Sequence, residues 1–274
     1  HLLKFTTWNL LARLGAGAFE TITGEVVNAI LLTLTQTRPT EDQMLRGLDA
    51  SSPKTPEEKA AILADSVVVA VGQKGQLQNP DARVMFDDSS NVELLARYAD
   101  SFEGLTSGDL SRFIIQHWEV TNLGNDWDYF IGSVTETMPF GGRDQALLWE
   151  NGQGQLHSFE GSFIKGAGAR GRHGIRVTQM SGLPATIYTG ELFNKNAGSL
   201  VPKNPQHLTA IWCFCSSPEY SEAVRQIDQS LKVTVGNLVK VPFDLAHWQK
   251  VAAERYPNGL PKPYSDDPTQ WIFH

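Results

Sequence analysis

The sequence predicts a mixed α/β and α+β protein made of two units. Three observations lead there. Early apolar runs at Leu10 to Leu14 and Val26 to Leu34 are bounded by turn residues, as buried strands are. A strongly signalled helix start follows at Pro56. Beyond about Asn91 the pattern changes to short aromatic-rich strands broken by glycines, and then to amphipathic helices. The boundary is placed near residues 87 to 91, where Asp87-Asp88-Ser89-Ser90 is acidic and Ser-rich.

In the first unit, the strand at Leu10 to Leu14 runs into the turn Gly15-Ala16-Gly17, and β-branched residues mark the second strand. Thr37 to Pro56 is polar and Pro-rich and reads as a surface loop. Thr55 is an N-cap, with Pro56 at the first helical position and Glu57 and Glu58 in the first turn; each favours a helix start. Asn79-Pro80-Asp81 reads as a turn, and Arg83 to Phe86 as a strand. In the second unit, Asn91 to Ala99 is expected to be helical, with Leu94, Leu95 and Tyr98 on one side. Strands are expected at Phe113 to Trp118, Tyr129 to Val134, Ala146 to Trp149, Ile175 to Thr178, Ala185 to Tyr188 and Ser199 to Val201. Pro205 to Ser216 has Leu208, Ile211, Trp212 and Cys215 at helical spacing. Ser221 to Gln229 reads as a second helix. Leu231 to Val235 and Leu238 to Val241 are expected to pair as a hairpin through Gly236-Asn237. Asp244 caps a last helix, Leu245 to Tyr256.

Composition narrows the class. Hydrophobic residues at 41% and charged residues at 19% fit an ordinary globular protein rather than a disordered tail. The longest apolar stretch, Ala29 to Leu34, is too short to span a bilayer, so no membrane association is expected. No secretion signal opens the chain. The two cysteines, Cys213 and Cys215, make no disulfide framework and suit a reduced cytoplasm. They also lack partner pairs with zinc spacing, and the seven histidines are scattered, so no metal is expected. The net charge of −7 excludes DNA binding by bulk attraction; a nucleic-acid surface would have to be a local patch.

Several segments together carry a family resemblance. WNLLARLGAGAFETITGEVVNAILLTL (Trp8 to Leu34), GLTSGDLSRFI (Gly104 to Ile114), PFGGRD (Pro139 to Asp144) and the QM…LP…YTGELF run from Gln179 to Phe193 follow one another in order. So does the closing segment to DPTQWIFH. They resemble the C-terminal half of bacterial adenine-specific DNA methyltransferases of single-chain restriction-modification and phage-defence (BREX-like) systems. In GLTSGDLSRFI, Leu110 stands where the family pattern TGDN…RF has Asn. The resemblance implies that residues 1–88 are the C-terminal part of a class I methyltransferase α/β sheet, and that residues 89–274 are a mixed target-recognition domain, truncated at its end. An exposed sheet edge is then expected in the first unit, because neighbouring strands would be missing. The implied cofactor of the intact enzyme is S-adenosylmethionine, the implied partner is double-stranded DNA, and the implied setting is the bacterial cytoplasm. The chain lacks the glycine-rich cofactor turn and the Asn-Pro-Pro-aromatic loop that would hold a flipped adenine. Asn79-Pro80 is followed by Asp81, and Asn204-Pro205 by Gln206. No catalytic or cofactor-binding residue is therefore assigned, and the chain is expected to be inactive alone. It would work with a catalytic half of the same enzyme, or as a protein-interaction or specificity subunit docked on a separate methyltransferase.

Candidate DNA contacts come from the residues themselves. Gly166 to Gly171 fits G-x-G-x-x-G, but a dinucleotide fingerprint needs a strand before it and a helix after it. Here His173-Gly174 makes another turn and a strand follows. The better reading is a flexible loop carrying Lys165, Arg170, Arg172, His173 and Arg176, the densest basic segment of the chain. It suits phosphate contact or is simply a solvated loop. Arg112 and Arg143 each follow a glycine-containing turn. They suit a guanine edge, which an arginine fork meets with two bonds, or a structural ion pair. Asn194 and Lys195 sit in a polar turn that reaches DNA or is only a turn. Trp118, Trp127, Trp149 and Trp212 read as core or interface residues.

Overall fold

The computed structural model describes residues 2–19, 28–78, 84–86, 93–121, 123–124 and 126–262. The chain separates into two compact units, residues 1–92 and 93–274. The described residues form a mixed α/β protein with three four-stranded sheets. The expected turn at Asn79-Pro80-Asp81, the linker residues 87–90 and the DPTQWIFH run lie outside the described residues.

In the first unit a short helix α1 (Leu2–Phe5) leads into β1 (Thr7–Gly15) and β2 (Ala29–Thr35). Then come β3 (Met44–Asp49), α2 (Pro56–Asp65) and β4 (Val69–Gly72). The sheet order is β2-β1-β3-β4. β1 runs antiparallel to β2 and parallel to β3, and β3 runs antiparallel to β4. Side chains alternate across β1, so its two faces bury different partners. Leu11 joins Leu3, Trp8 and Leu45, while Ala12 joins Leu48 and Ala50 with Ile62 and Leu63 of α2. The helix start is as the sequence predicts: Thr55 accepts from the Glu58 N–H while the Glu58 carboxylate accepts from the Thr55 N–H.

The Thr37 to Pro56 loop is a correction, because it contains a strand, β3. MLRGLD mixes Arg46, Gly47 and Asp49 with its leucines and gives no clean alternation. Its strand character comes from lying between β1 and β4. A Cβ at Gly47 would meet the Phe86 ring and, at 2.5 Å, the Leu11 carbonyl oxygen, so the close approach needs glycine. Residues 84–86, expected as part of a strand, lie in no regular element. β2 is an edge strand and exposes Ile30, Leu31 and Leu34.

The second unit holds two sheets. One runs β10 (Ala185–Tyr188), β9 (Gly174–Thr178), β12 (Ala197–Pro202), β5 (Ala99–Glu103), with every pair antiparallel. The other runs β11 (Leu192–Phe193), β7 (Trp127–Ile131), β8 (Gln145–Leu148), β6 (Ile114–Gln116). There β11 is parallel to β7, and β8 is antiparallel to both β7 and β6. Helices α3 (Leu110–Phe113) and α4 (Gln155–Ser158) are single turns. Three longer helices follow: α5 (Leu208–Cys215), α6 (Pro218–Ile227) and α7 (Leu245–Arg255). The main core packs α5 residues Ile211, Trp212, Phe214 and Cys215 against Ile175 and Val177 of β9, with Tyr220, Val224, Leu238 and Phe243. The α7 cap is as expected, Asp244 accepting from the His247 N–H at 3.0 Å. Cys213 and Cys215 are buried and unpaired, and burial raises both thiols' pKa values.

Three expectations in this unit are corrected. The Leu231 to Val241 hairpin is replaced by a 3-10 turn, Val235–Val239. Asp228 Oδ2 takes the Thr234 N–H and the Asn237 amide, each at 2.9 Å, which curls the chain and drops Leu238 into the core. The expected helix at Asn91 to Ala99 contracts to the turn Leu95–Arg97, because the Leu95 N–H is drawn to the Val241 carbonyl and Ala99 opens β5. The expected strand at Phe113 to Trp118 is split: Asp109 caps α3, which ends at Phe113, and only Ile114–Gln116 is extended.

Candidate functional site

The glycine-rich segment is an ordered set of turns, which corrects the expectation of a flexible loop. The Ala169 N–H bonds to the Gly166 carbonyl and the Gly171 N–H to the Gly190 carbonyl, and Ala169 is buried. Gly166 has φ +82°, and a Cβ there would meet the Phe193 ring at 2.5 Å, so the loop lies flat on that ring. The chain then enters β9, not a helix, so the dinucleotide fingerprint has no structural counterpart.

This packing fixes the basic side chains differently from one another. Lys165 is exposed and pairs with Glu103 at 2.5 Å. Arg170 lies with its guanidinium 4.5 Å from the centre of the Trp149 ring and donates to the Lys165 carbonyl at 3.2 Å. Burial there lowers its pKa somewhat. Arg172 is exposed and donates to the carbonyls of Gly168 at 3.1 Å and Pro202 at 3.3 Å. His173 is exposed at the start of β9. Lys195 is exposed in its turn. Arg112 is exposed and donates to Gln155 Oε1 at 2.7 Å, with the Phe113 and Phe159 rings about it.

Arg176 is a framework residue, a correction to its expected place in a basic DNA-facing loop, and Arg143 makes the structural ion pair that was the alternative to a guanine contact. Arg176 is only 1% exposed. It donates to the Gly132 carbonyl at 3.0 Å, the Asn194 carbonyl at 3.0 Å, Asn194 Oδ1 at 2.6 Å and Ser199 Oγ at 3.4 Å. The reason is topological: β9 lies between β10 and β12, and both its faces are covered. Burial pulls the guanidinium pKa down to about 9, against the pull of Tyr188 and Glu191, so it stays charged at neutral pH. Asn194 is thereby held inward, its Oδ1 also accepting the Asn196 N–H. Arg143 is largely buried, paired with Glu191 at 2.7 Å and bonded to the Ile187 carbonyl at 2.7 Å. Burial pushes the Glu191 carboxyl up, but Arg143 and the donors of Glu191 and Thr189 outweigh it and hold the group below the usual carboxylate range.

Sequence reasoning missed Gln155, Tyr188 and Glu191, and it named Trp149 only as a core or interface residue. Tyr188 and Glu191 stand in the YTGELF run, and the Tyr188 hydroxyl donates to the Glu191 carbonyl at 2.6 Å. Trp149 and Gln155 had no signal, since their arginines are distant in the chain. Of the tryptophans expected in the core or at an interface, Trp212 is buried and Trp118 is 61% exposed.

One continuous run of contacts links the outward cations. Arg172 meets Gly168 in the glycine segment, Arg170 crosses from that segment to Trp149, and Trp149 begins the loop that ends at Gln155, which holds Arg112. Arg112, Arg170 and Arg172 are held by neutral carbonyls, an amide and aromatic rings. Among the described residues no carboxylate pairs with any of the three, in contrast to Arg143, Arg97 and Arg13. Chemically, guanidinium groups outside ion pairs are able to take anions and flat acceptor edges.

Asn204 Oδ1 caps the 3-10 turn Pro205–His207 by accepting the Gln206 N–H at 3.0 Å. Asn79 and Pro80 lie outside the described residues. Among the described residues, no group of three His, Cys, Asp or Glu side chains is placed to hold a metal ion, and no helix is long and apolar enough to cross a membrane.

No protein-family profile and no curated protein matches the chain. Among solved structures it is similar to the Type IIL restriction-modification enzyme MmeI in complex with DNA, at a TM-score of 0.40 and 10% identity. That match covers 98% of this chain and 41% of the MmeI chain.

Proposed function

We propose that residues 93–274 are the sequence-specific double-stranded DNA recognition part of an S-adenosylmethionine-dependent N6-adenine DNA methyltransferase of a restriction-modification or phage-defence system. On this reading residues 1–92 are the end of its methyltransferase sheet, and chemistry and cofactor belong to a catalytic part outside this chain. The observation that carries it is the run of three arginines, Arg112, Arg170 and Arg172, that form no ion pair among the described residues, in a chain of net charge −7. Arginines outside ion pairs suit phosphates, and the motif segments GLTSGDLSRFI and YTGELF supply the resemblance to DNA-modifying enzymes. Phosphate contacts would position the duplex and a few side chains would read base edges.

The test is binding to a randomised duplex pool at several salt concentrations. Enrichment of one asymmetric site supports the reading. Replacing Arg170 and Arg172 together with Ala is expected to weaken binding to all sequences and to lower the slope of log K against log salt by about 2, near one per lost phosphate contact. A slope that does not move removes this segment from the interface. The second reading, a protein-interaction or specificity subunit for a separate methyltransferase, is favoured by the exposed apolar edge strand β2 and the acidic total. Absence of DNA binding at low salt would support it.

A further inference from the structure

Gln155 and Arg112 lie 43 residues apart and meet in the folded chain, with Arg112 Nη2 donating to Gln155 Oε1 at 2.7 Å. We propose that they act as one reading unit for a guanine in the major groove of bound duplex. This rests on the DNA-recognition reading above and names the base and the residues that take it.

The guanidinium is held on three sides. Its central carbon is 5.1 Å from the Phe159 ring centre and 5.3 Å from that of Phe113, and the Gln155 amide fixes one edge. The neighbouring carboxylate of Asp109 accepts from the Arg112 N–H at 3.2 Å and from Ser111 Oγ at 2.8 Å; these bonds weigh more on it than its attraction to the guanidinium, with which it makes no ion pair. A free surface arginine loses rotamer freedom when it is ordered by a ligand. Here much of that ordering is already in place.

Gln155 is fixed by a strained loop. Glu150, Asn151 and Gly152 all lie in the left-handed region, at φ 47°, 55° and 76°. Such a run is unfavourable for residues with a Cβ and persists only where surrounding contacts impose it; strain of this kind gathers at ligand clamps. The contacts are specific. The Asp126 carbonyl accepts both the Trp149 N–H at 2.7 Å and the Glu150 N–H at 2.9 Å. The Glu150 carboxylate then accepts the Gln155 N–H at 2.8 Å. A Cβ at Gly154 would collide with that carboxylate, so only glycine lets the chain close round it. The same loop carries Trp149 under Arg170, which sets a phosphate-suited cation next to the reading pair.

The pair's chemistry selects the base. A guanidinium has only donors, so Gln155 must turn its carbonyl to Arg112, which leaves its amide N–H groups as donors. The unit therefore offers donors alone. Guanine presents two adjacent acceptors, N7 and O6, in the major groove; adenine and cytosine each present an amino donor there, and thymine a single acceptor beside a methyl group.

The experiment repeats the duplex-pool selection with the whole chain, for wild type, R112A, R112K and Q155A, with thermal melts to establish folding. Wild type is expected to enrich a site with guanine at the position read. R112A should lose about 5- to 160-fold of the preference for guanine at that one base pair, with other positions and the salt slope unchanged. R112K should not restore it, because an ammonium cannot fork. Q155A should relax the same position by a smaller factor. Folded R112A that weakens all sequences alike and lowers the salt slope by about one makes Arg112 a phosphate contact and overturns the proposal. Unchanged enrichment in R112A overturns it while the DNA-recognition reading stands. Absence of any enriched site in wild type overturns both.

Discussion

Replacing Arg176 with Met removes a charge from the interior of residues 93–274 and keeps most of the side chain's length. The Gly132 and Asn194 carbonyls and Asn194 Oδ1 each lose a donor at 3.0 Å or closer, and methionine offers none. A buried acceptor left without a partner costs about 1–3 kcal/mol. Against this stands the relief of no longer burying a guanidinium, which apolar substitutions of buried ions often recover. The net expectation is a loss of about 2–4 kcal/mol, or roughly 4–16 °C in melting temperature for a unit of this size. The assay is a thermal melt followed by near-ultraviolet circular dichroism, run beside the R170A/R172A double variant. That double variant should melt within about 4 °C of wild type, since Arg172 is at the surface and Arg170, half-buried against Trp149, loses a cation–π contact of about 0.5–1 kcal/mol. Arg176→Met with an unchanged melt and a lost affinity for duplex at every salt concentration would refute the assignment of Arg176 to the framework.

Other substitutions test the remaining buried contacts. Lys59 is 2% exposed, and its ammonium donates to the carbonyls of Leu14 at 2.7 Å, Ala50 at 3.3 Å, Ser51 at 3.4 Å and also Pro53. Lys59→Met should destabilise the first unit by about 2–4 kcal/mol and raise hydrogen exchange at Ala50 to Lys54, since several carbonyls lose a charged donor together; unchanged exchange there would contradict this. Glu191→Gln tests a pH dependence. The Glu191 carboxyl titrates below its ordinary 4.5 in the folded chain, so its stabilisation is present above that pH and is lost as pH falls through the depressed folded value. Wild type should out-melt E191Q at neutral pH, and the difference should shrink only below pH 4.5; a constant difference down to pH 2 would refute it. Gly190 has φ +111°, and a Cβ there would stand 2.8 Å from the Gly171 Cα. Gly190→Ala should therefore shift the turn between Arg170 and Arg172, and is expected to weaken duplex binding several-fold while the core stays folded; unaltered binding would separate this turn from the interface.

Helix starts were legible because their causes are neighbours in sequence. Thr55, Pro56 and Glu58 act within one turn, as do Asp244 and His247, so no distant contact is needed to set them. β10 was legible for a related reason, four buried residues between clear turn signals. β3 was not, because MLRGLD becomes a strand only when β1 and β4 pair with it on either side. The Gly236-Asn237 pair looks like a hairpin turn in isolation, but Asp228, nine residues before Asn237, captures the backbone and folds it inward.

The candidate site divides along the same line. Sequence alone determined that basic side chains concentrate between Lys165 and Arg176, that no cysteine or histidine pattern suits a metal, and that any anion-binding surface must be local in an acidic chain. It could not separate Arg172 from Arg176. Those two are chemically identical and four residues apart, yet one lies at the surface and the other is sealed between β10 and β12. Which faces of a strand are covered depends on segments far away in the chain, so burial, and with it the choice between framework and interface, belongs to the tertiary structure. The pairing of Arg112 with Gln155 was decided there too, since neither residue carries local information about the other.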